Sequence, residues 1–293
     1  MSSVLCLDVG GSRIKAAVLP KSLSVETLQR RSVFSMRSLG WLNQSLPELL
    51  SAEHRASVIG RNLLDIEFDE VAIGVPGVVR GGHFLRSDLD VPSDLKREFA
   101  RFTAKHITLV KDADAWMVGA MACCELTEER MAYPAIALIF GTGVGLSMTR
   151  DGRRFDSLEI SEWPHAFPSL ARASGVAVDE PWQVHHILGA RFFEWVASEK
   201  RHWSYARIRA EFSKRCVALV DDLVAALAPR VGEMATIFIG GGSSEYVSLA
   251  SLRERTGSEV KSIGTRTLHI DPDLVPLVGL HEIVFDRDVE VER

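Results

Sequence analysis

The chain has 293 residues, 46% hydrophobic and 25% charged, with 34 basic against 39 acidic side chains and a net charge of −5. That is length for about two domains at ~150 residues each, with an ordinary globular composition and enough chain to bury a core without staples. The acidic balance argues against a nucleic-acid or membrane-surface protein, and no apolar run approaches the ~18 residues of a spanning helix, so a soluble, cytoplasmic protein with no membrane partner is expected.

The first third alternates strand and turn. "VLCLDVG" and "IKAAVLP" read as two strands around Gly10-Gly11-Ser12. Two readings fit this break in an apolar run. It is a tight β-hairpin, or it is a phosphate cradle in which backbone N–H groups face an anion and Asp8 faces its metal. Lys15 either adds charge there or faces solvent. "SVETLQRRSVFSM" has period-2 character in places and is expected as a third strand. "WLNQSLPELLSAEH" is expected as a helix with Leu42, Leu46, Leu49 and Leu50 on one face. "FDEVAIGVPGVV" is a short apolar strand running into the Gly74-Val75-Pro76-Gly77 turn.

"HITLV" is another buried strand, and "DADAWMVGAMACCEL" follows as a helix opened by Asp112 or its neighbour. Asp112 is an N-cap, or a base at a cleft edge that takes a proton from an attacking hydroxyl. The strand pattern then restarts. "AIALIF", "GTGVG", "LSMTR" and "DGRRFDSL" repeat the early theme, with Gly141, Thr142 and Gly143 in the turn. Glu162 and His165 lie in "SEWPH", an ordered loop stiffened by proline, and are either structural or able to bond sugar hydroxyls.

Residues 182 to 230 are expected to be mostly helical. His185 and His186 are adjacent in a helix, where neighbours do not face one another, so they are discounted as a metal site. Phe193, Trp195 and Trp203 serve a core or an interface equally well. "ATIFIGGGSSEYVSLASLRER" is expected as strand, glycine run Gly240-Gly241-Gly242, and a helix opened by Ser243-Ser244-Glu245. A helix N-terminus there suits a nucleotide, as a tight βα turn suits the fold, and the pattern is not the G-x-G-x-x-G fingerprint. "DPDLVPLVGLHEIVF" is expected as the last helix. All four cysteines (Cys6, Cys123, Cys124 and Cys216) are expected to be small buried hydrophobes in a reducing compartment. Two similar α/β halves, each opened by a glycine-turn hairpin, point to two lobes.

Taken in order, "LDVGGSRIKAAVL", the Gly-x-Pro-Gly turn, "KDADA", "IFGTGVGLSM", "SEWPH" and "IFIGGG" resemble the ROK family of sugar kinases within the actin-like ATPase superfamily, from Leu5 to about Gly279. The resemblance implies an α/β fold of two actin-like, ribonuclease H-like lobes with a nucleotide-binding cleft between them. It implies an N-terminal lobe over 1–112, with the helix 272–284 a candidate to complete it, and a C-terminal lobe over 113–271. It implies ATP and Mg²⁺. Asp8 would act on the metal through water, with Gly10, Gly11, Ser12 and Lys15 in the first phosphate loop. Gly141, Thr142 and Gly143 would form the second phosphate loop, and Gly240, Gly241 and Gly242 would line the adenosine. Asp112 would be the catalytic base, with sugar contacts from Gly77, Lys111, Glu162 and His165. A homodimer is expected from the same likeness.

The departures from the family pattern are specific. Lys111 and Asp114 stand where the family has asparagines, and Ser161 and Pro164 where it has glycines. No cysteine lies between Cys124 and Cys216, so no zinc is predicted. Glu180 is the candidate for the family's further sugar-binding glutamate. Lys111 beside the base suits an anionic or unusual acceptor. Three alternatives stay open: a sugar sensor of the same fold without a DNA-binding domain, a kinase using polyphosphate, and a phosphatase whose acceptor is water.

Overall fold

The computed structural model describes residues 3–10, 13–31, 33–37, 68–80, 83–86, 105–262, 271–286 and 289–291. The expected helix over 41–54 lies outside the described residues, as do Gly11 and Ser12. The chain divides into two compact units, residues 1–130 with 264–293, and residues 131–263.

The first unit is built on a five-stranded sheet. Strands β1 (Ser3–Val9) and β2 (Arg13–Pro20) form an antiparallel hairpin, and β3 (Phe34–Arg37) pairs with β2. Strands β4 (Glu70–Val75) and β7 (His106–Lys111) extend the sheet in parallel from β1, giving the order β3-β2-β1-β4-β7. Between them, β5 (Val78–Arg80) and β6 (His83–Arg86) make a small separate hairpin. Every residue of β1 is buried, as expected of a strand that has neighbours on both sides and covered faces.

The segment 24–36 is not one strand. Ser24 caps a short helix α1 (Val25–Gln29), its hydroxyl accepting from Thr27 N–H at 3.1 Å, and Leu28 is buried. A serine able to satisfy a helix-end donor outweighs the weak alternation there, and only Phe34–Arg37 remains extended.

Helix α2 (Asp112–Leu126) follows β7 directly and is buried on almost every side. Its partner is the last helix, which runs from Leu274 to Phe285. Side chains at Gly119 and Gly279 would run into the facing backbone at Val275 and Ala115. The two helices therefore cross with their backbones in near contact, as only glycines allow. This crossing places α2 in the first unit. The division expected after residue 112 falls after residue 130, because α2 buries its apolar surface against the C-terminal helix and the first sheet. His281 Nε2–H in that helix donates to the Pro20 carbonyl of β2 at 2.8 Å.

The second unit repeats the plan. Strands β8 (Ala135–Phe140), β9 (Val144–Thr149) and β10 (Phe155–Leu158) are antiparallel neighbours. Strands β11 (Thr236–Gly240) and β12 (Glu259–Ser262) add in parallel, giving β10-β9-β8-β11-β12. The two sheets thus share one order and one set of strand directions. Helices α3 (Pro168–Ser174), α4 (Gln183–Leu188), α5 (Ala190–Glu199), α6 (Tyr205–Val231) and α7 (Leu249–Thr256) belong to this unit, and the C-terminal helix is α8 (Leu274–Phe285). Its core runs from Phe140, Leu146 and Ile237 of the sheet to Phe192, Phe212 and Leu219 of the helices. Trp195 and Trp203 pack against that core, their rings edge-on at 5.6 Å.

The glycine run is followed by a 3₁₀ turn (Ser244–Tyr246), not by a helix. Val247 is drawn into the core, and Ser248 N–H donates to Ser213 Oγ of α6 at 2.9 Å. Helix α7 begins only at Leu249, where Ser248 supplies the cap. The expected helix N-terminus at Ser243-Ser244-Glu245 is therefore absent.

Candidate active site

In each unit the glycine turns sit at the carboxyl ends of parallel strands, where open α/β sheets bind their ligands. In the first unit Asp8 is paired in register with Gly74 of β4, and Gly74 with Val110 of β7. Asp8, the Pro76-Gly77 turn, Lys111 and Asp112 thus line one edge of the sheet. Gly77 has a φ of 107°, which its turn requires of a glycine. Gly10 N–H donates to the Arg13 carbonyl at 2.9 Å and closes the hairpin.

Asp8 is 8% exposed, and its Oδ2 lies 3.3 Å from Lys15 Nζ. Lys15 faces Asp8 directly across the hairpin, so the two side chains share a face. Lys15 Nζ is also 3.1 Å from Asp273 Oδ1, just ahead of α8. Burial pushes the Asp8 carboxyl up from its ordinary range, and Lys15 opposes it. Burial pulls the Lys15 ammonium down, but Asp8 and Asp273 outweigh it and the net shift is upward.

Asp112 opens α2, and its Oδ1 accepts from Ala113 N–H at 2.7 Å. Together with Asp114 it puts two acidic side chains in the first turn, where they complement the helix dipole. Lys111 is 3% exposed and Asp114 is fully buried. A side chain at Gly74 would be in ordinary contact with the Asp112 Cα, at 3.6 Å.

In the second unit β8 ends at Phe140 and β11 at Gly240, in adjacent parallel strands. The turn Gly141-Thr142-Gly143 joins Phe140 to Val144, and Gly141 N–H donates to the Gly143 carbonyl at 2.9 Å. The Gly240-Gly241-Gly242 turn leans on the same place, with Ser243 N–H donating to the Phe140 carbonyl at 3.0 Å. Gly241 has a φ of 85°, and a side chain there would meet the Phe140 backbone.

Gly141 and Gly242 differ from these. Neither has a positive φ, and a Cβ at either would meet nothing within 4 Å. Among the glycines whose surroundings are described, only these two combine ordinary backbone with open space. Neither a positive φ nor a packing contact calls for glycine at these two positions. Gly141 is half-buried and Gly242 exposed.

Glu162 ends a 3₁₀ turn (Ile160–Glu162) and His165 lies in the loop after it, both exposed. Trp163 between them is buried in the core and meets the His165 ring edge-on at 5.9 Å. Glu180 lies in an exposed segment ahead of α4, its N–H donating to Gln183 Oε1 at 3.0 Å. Two neighbours of the site carry no sequence signal. Asp273 reaches Lys15 from the far end of the chain, and His185 Nδ1 accepts from Val144 N–H in the second glycine turn at 3.0 Å.

No family model matches the sequence, and no curated protein does. Solved structures match over nearly its whole length. The inorganic polyphosphate/ATP-glucomannokinase from Arthrobacter sp. strain KM is 15% identical, with a TM-score of 0.63 over 97% of this chain and 98% of that one. A ROK family glucokinase from Streptomyces griseus, in complex with glucose and AMPPNP, is 15% identical, with a TM-score of 0.62 over 96% and 99%.

This chain has the fold of the ROK sugar kinases. A ROK family transcriptional regulator, a homologue of the E. coli MLC protein, shares it at 13% identity and a TM-score of 0.60, over 97% of this chain and 78% of that one. The ROK fold therefore carries both kinases and a regulator, and activity has to be argued from the site. Within the ROK fold of this chain, no described helix is long and apolar enough to cross a membrane.

Proposed function

We propose that the protein is an ATP-dependent kinase of a sugar or sugar derivative. The observation that carries this reading is the pair Gly141 and Gly242, glycines that neither backbone angle nor packing requires. A close-approaching nucleotide gives them a reason. In this reading Gly141, Thr142 and Gly143 face phosphate, Gly240–Gly242 line the adenosine, and Gly10, Gly11, Ser12 and Lys15 form the first phosphate loop.

The donor set also fits Mg²⁺ held through water. Asp8 offers hard carboxylate oxygen, and Lys15 occupies only its Oδ2 side. When bound, the metal neutralises phosphate charge. Asp112 is the general base. The acceptor hydroxyl gives its proton to the Asp112 carboxylate as its oxygen bonds the γ-phosphorus. The bond from that phosphorus to the β–γ bridging oxygen breaks, and ADP leaves. Most of the catalysis is positioning and electrostatics. Glu162, His165 and Glu180 hold the sugar hydroxyls, with Gly77 and Lys111 beside the acceptor. The acceptor is a small molecule, and the protein acts in the cytoplasm as a homodimer.

A second reading, a sugar sensor, is favoured by the buried Lys111 and by Pro164, which break the family pattern next to the base and in the sugar loop. One assay separates the two. ADP release is followed with ATP-Mg²⁺ or polyphosphate as donor and with neutral hexoses, N-acetylated amino sugars and acidic sugars as acceptors. The kinase reading expects release that depends on one sugar and falls by several decades in Asp112→Asn. Normal phosphotransfer by that variant would remove Asp112 from the role. Silence across the panel, with nucleotide still bound, would favour the sensor.

A further inference from the structure

His185 is not exposed on the α4 surface as one of a histidine pair. Its neighbour His186 turns the other way, with Nδ1 3.2 Å from Arg191 Nη1 and its ring edge-on to Trp182 at 4.8 Å. His185 turns under the second glycine turn, and its Nδ1 accepts Val144 N–H at 3.0 Å. A ring nitrogen that accepts must be unprotonated, so the proton of the neutral ring is on Nε2.

The surroundings are fitted to that contact. A side chain at Gly143 would come within 2.8 Å of His185 Nδ1, so this glycine leaves room for the imidazole. A side chain at Gly189 would run into the Thr142 and His185 carbonyls. Ala190 N–H, in the first turn of α5, donates to the Thr142 carbonyl at 3.0 Å. The turn is thus pinned by Gly141 N–H on the Gly143 carbonyl, by Ala190 N–H on the Thr142 carbonyl, and by His185 on Val144 N–H. The first two are backbone bonds. Only the third depends on a side chain.

We propose that His185 is a positioning residue for the phosphate turn, fixing the direction of the Val144 N–H and with it the Thr142 and Gly143 donors beside it. This rests on the reading of Gly141–Gly143 as a phosphate turn. Its effect is local: phosphate binding depends on His185, and adenosine binding does not.

The test uses four proteins: wild type, His185→Asn, His185→Gln and His185→Leu. An asparagine oxygen can take the position of Nδ1, and a glutamine oxygen reaches further along the ring. Dissociation constants are measured by titration calorimetry for AMPPNP with Mg²⁺ and for adenosine. The expected result is AMPPNP affinity within about threefold of wild type in His185→Asn. His185→Gln and His185→Leu should be weaker by about tenfold or more, with adenosine affinity unchanged throughout. Tenfold corresponds to about 1.4 kcal/mol, the scale of one hydrogen bond.

Wild-type AMPPNP binding in His185→Leu overturns the inference and leaves the kinase reading standing. Equal weakening in the Asn and Gln variants, or parallel loss of adenosine, also overturns it, because the acceptor position would then not matter. If His185→Leu does not fold, the Asn and Gln pair decides. Failure of the wild type to bind AMPPNP overturns the phosphate reading itself, and this inference with it.

Discussion

Lys15 and Asp8 face each other across the first hairpin with 3.3 Å between ammonium and carboxylate, and Asp273 holds the same ammonium at 3.1 Å. Two carboxylates thus share one cation at the edge where the first glycine turn begins. Asp273 immediately precedes α8, so the cation also ties the C-terminal helix to the hairpin.

Replacing Lys15 by methionine leaves the two carboxylates facing each other without a counter-charge. The expected loss is about 2 kcal/mol near neutral pH, the scale of hydrogen bonds to charged groups. The Lys15 ammonium is shifted up in the folded protein. Its stabilising contribution is therefore fully present below the unfolded lysine range, ~10.4, and is lost as pH rises through the folded value. Urea unfolding of wild type and Lys15→Met from pH 7 to pH 11 checks this, with the gap between them expected to be constant up to the unfolded lysine range and to begin narrowing above it.

Gly141→Ala and Gly242→Ala add a methyl into open space at backbone angles that alanine tolerates. Thermal midpoints should stay within a degree or two of wild type or rise slightly, since alanine lowers the entropy of the unfolded chain. Nucleotide affinity should fall about tenfold or more if backbone approach is their purpose. Unchanged affinity in both variants would take away the observation on which the proposed function rests.

Gly119→Ala and Gly279→Ala should behave in the opposite way. Each new methyl meets facing backbone, at Val275 for one and at Ala115 for the other. Backbone cannot step aside as a flexible side chain can, so the cost should reach at least about 3 kcal/mol, the upper end for overpacking. Because α2 carries Asp112 at its first residue, activity should fall with stability. Circular dichroism melts read the first effect and the ADP-release assay the second.

All four cysteines are buried and none is in a disulfide. Burial pushes the Cys6 and Cys216 thiols well up, and takes Cys123 up to about 12 with Cys124 beside it adding to the shift. Thiolate is the reactive form. A colorimetric thiol reagent should therefore find almost nothing in the native protein at pH 8 and four equivalents after denaturation. Rapid native reaction of any one would contradict its burial.

Much of the fold was written locally. "DADAWMVGAMACCEL" is helix α2 to the residue and "AIALIF" is strand β8 to the residue, because an apolar run bounded by turn residues, or with acidic residues in its first turn, needs little tertiary help; the cap itself is Lys111, and Asp112 is the first helical residue. The two hairpins with glycine turns, and the repetition of one sheet plan, were legible for the same reason. The short helix at 25–29 was missed because one serine cap outweighed a faint alternation.

Other features depended on residues meeting across the fold. No local pattern says that Val247 is drawn into the core and Ser248 tied to Ser213, so that the glycine run ends in a 3₁₀ turn rather than a helix. Nothing near Lys15 announces Asp273, and nothing near Val144 announces His185. The candidate residues could be named from sequence because turn chemistry is local. Which glycines are structural and which stand open, which helices touch at their glycines, and which side chains hold the turns were decided only by packing, because each depends on the space and charge that distant parts of the chain bring to one place.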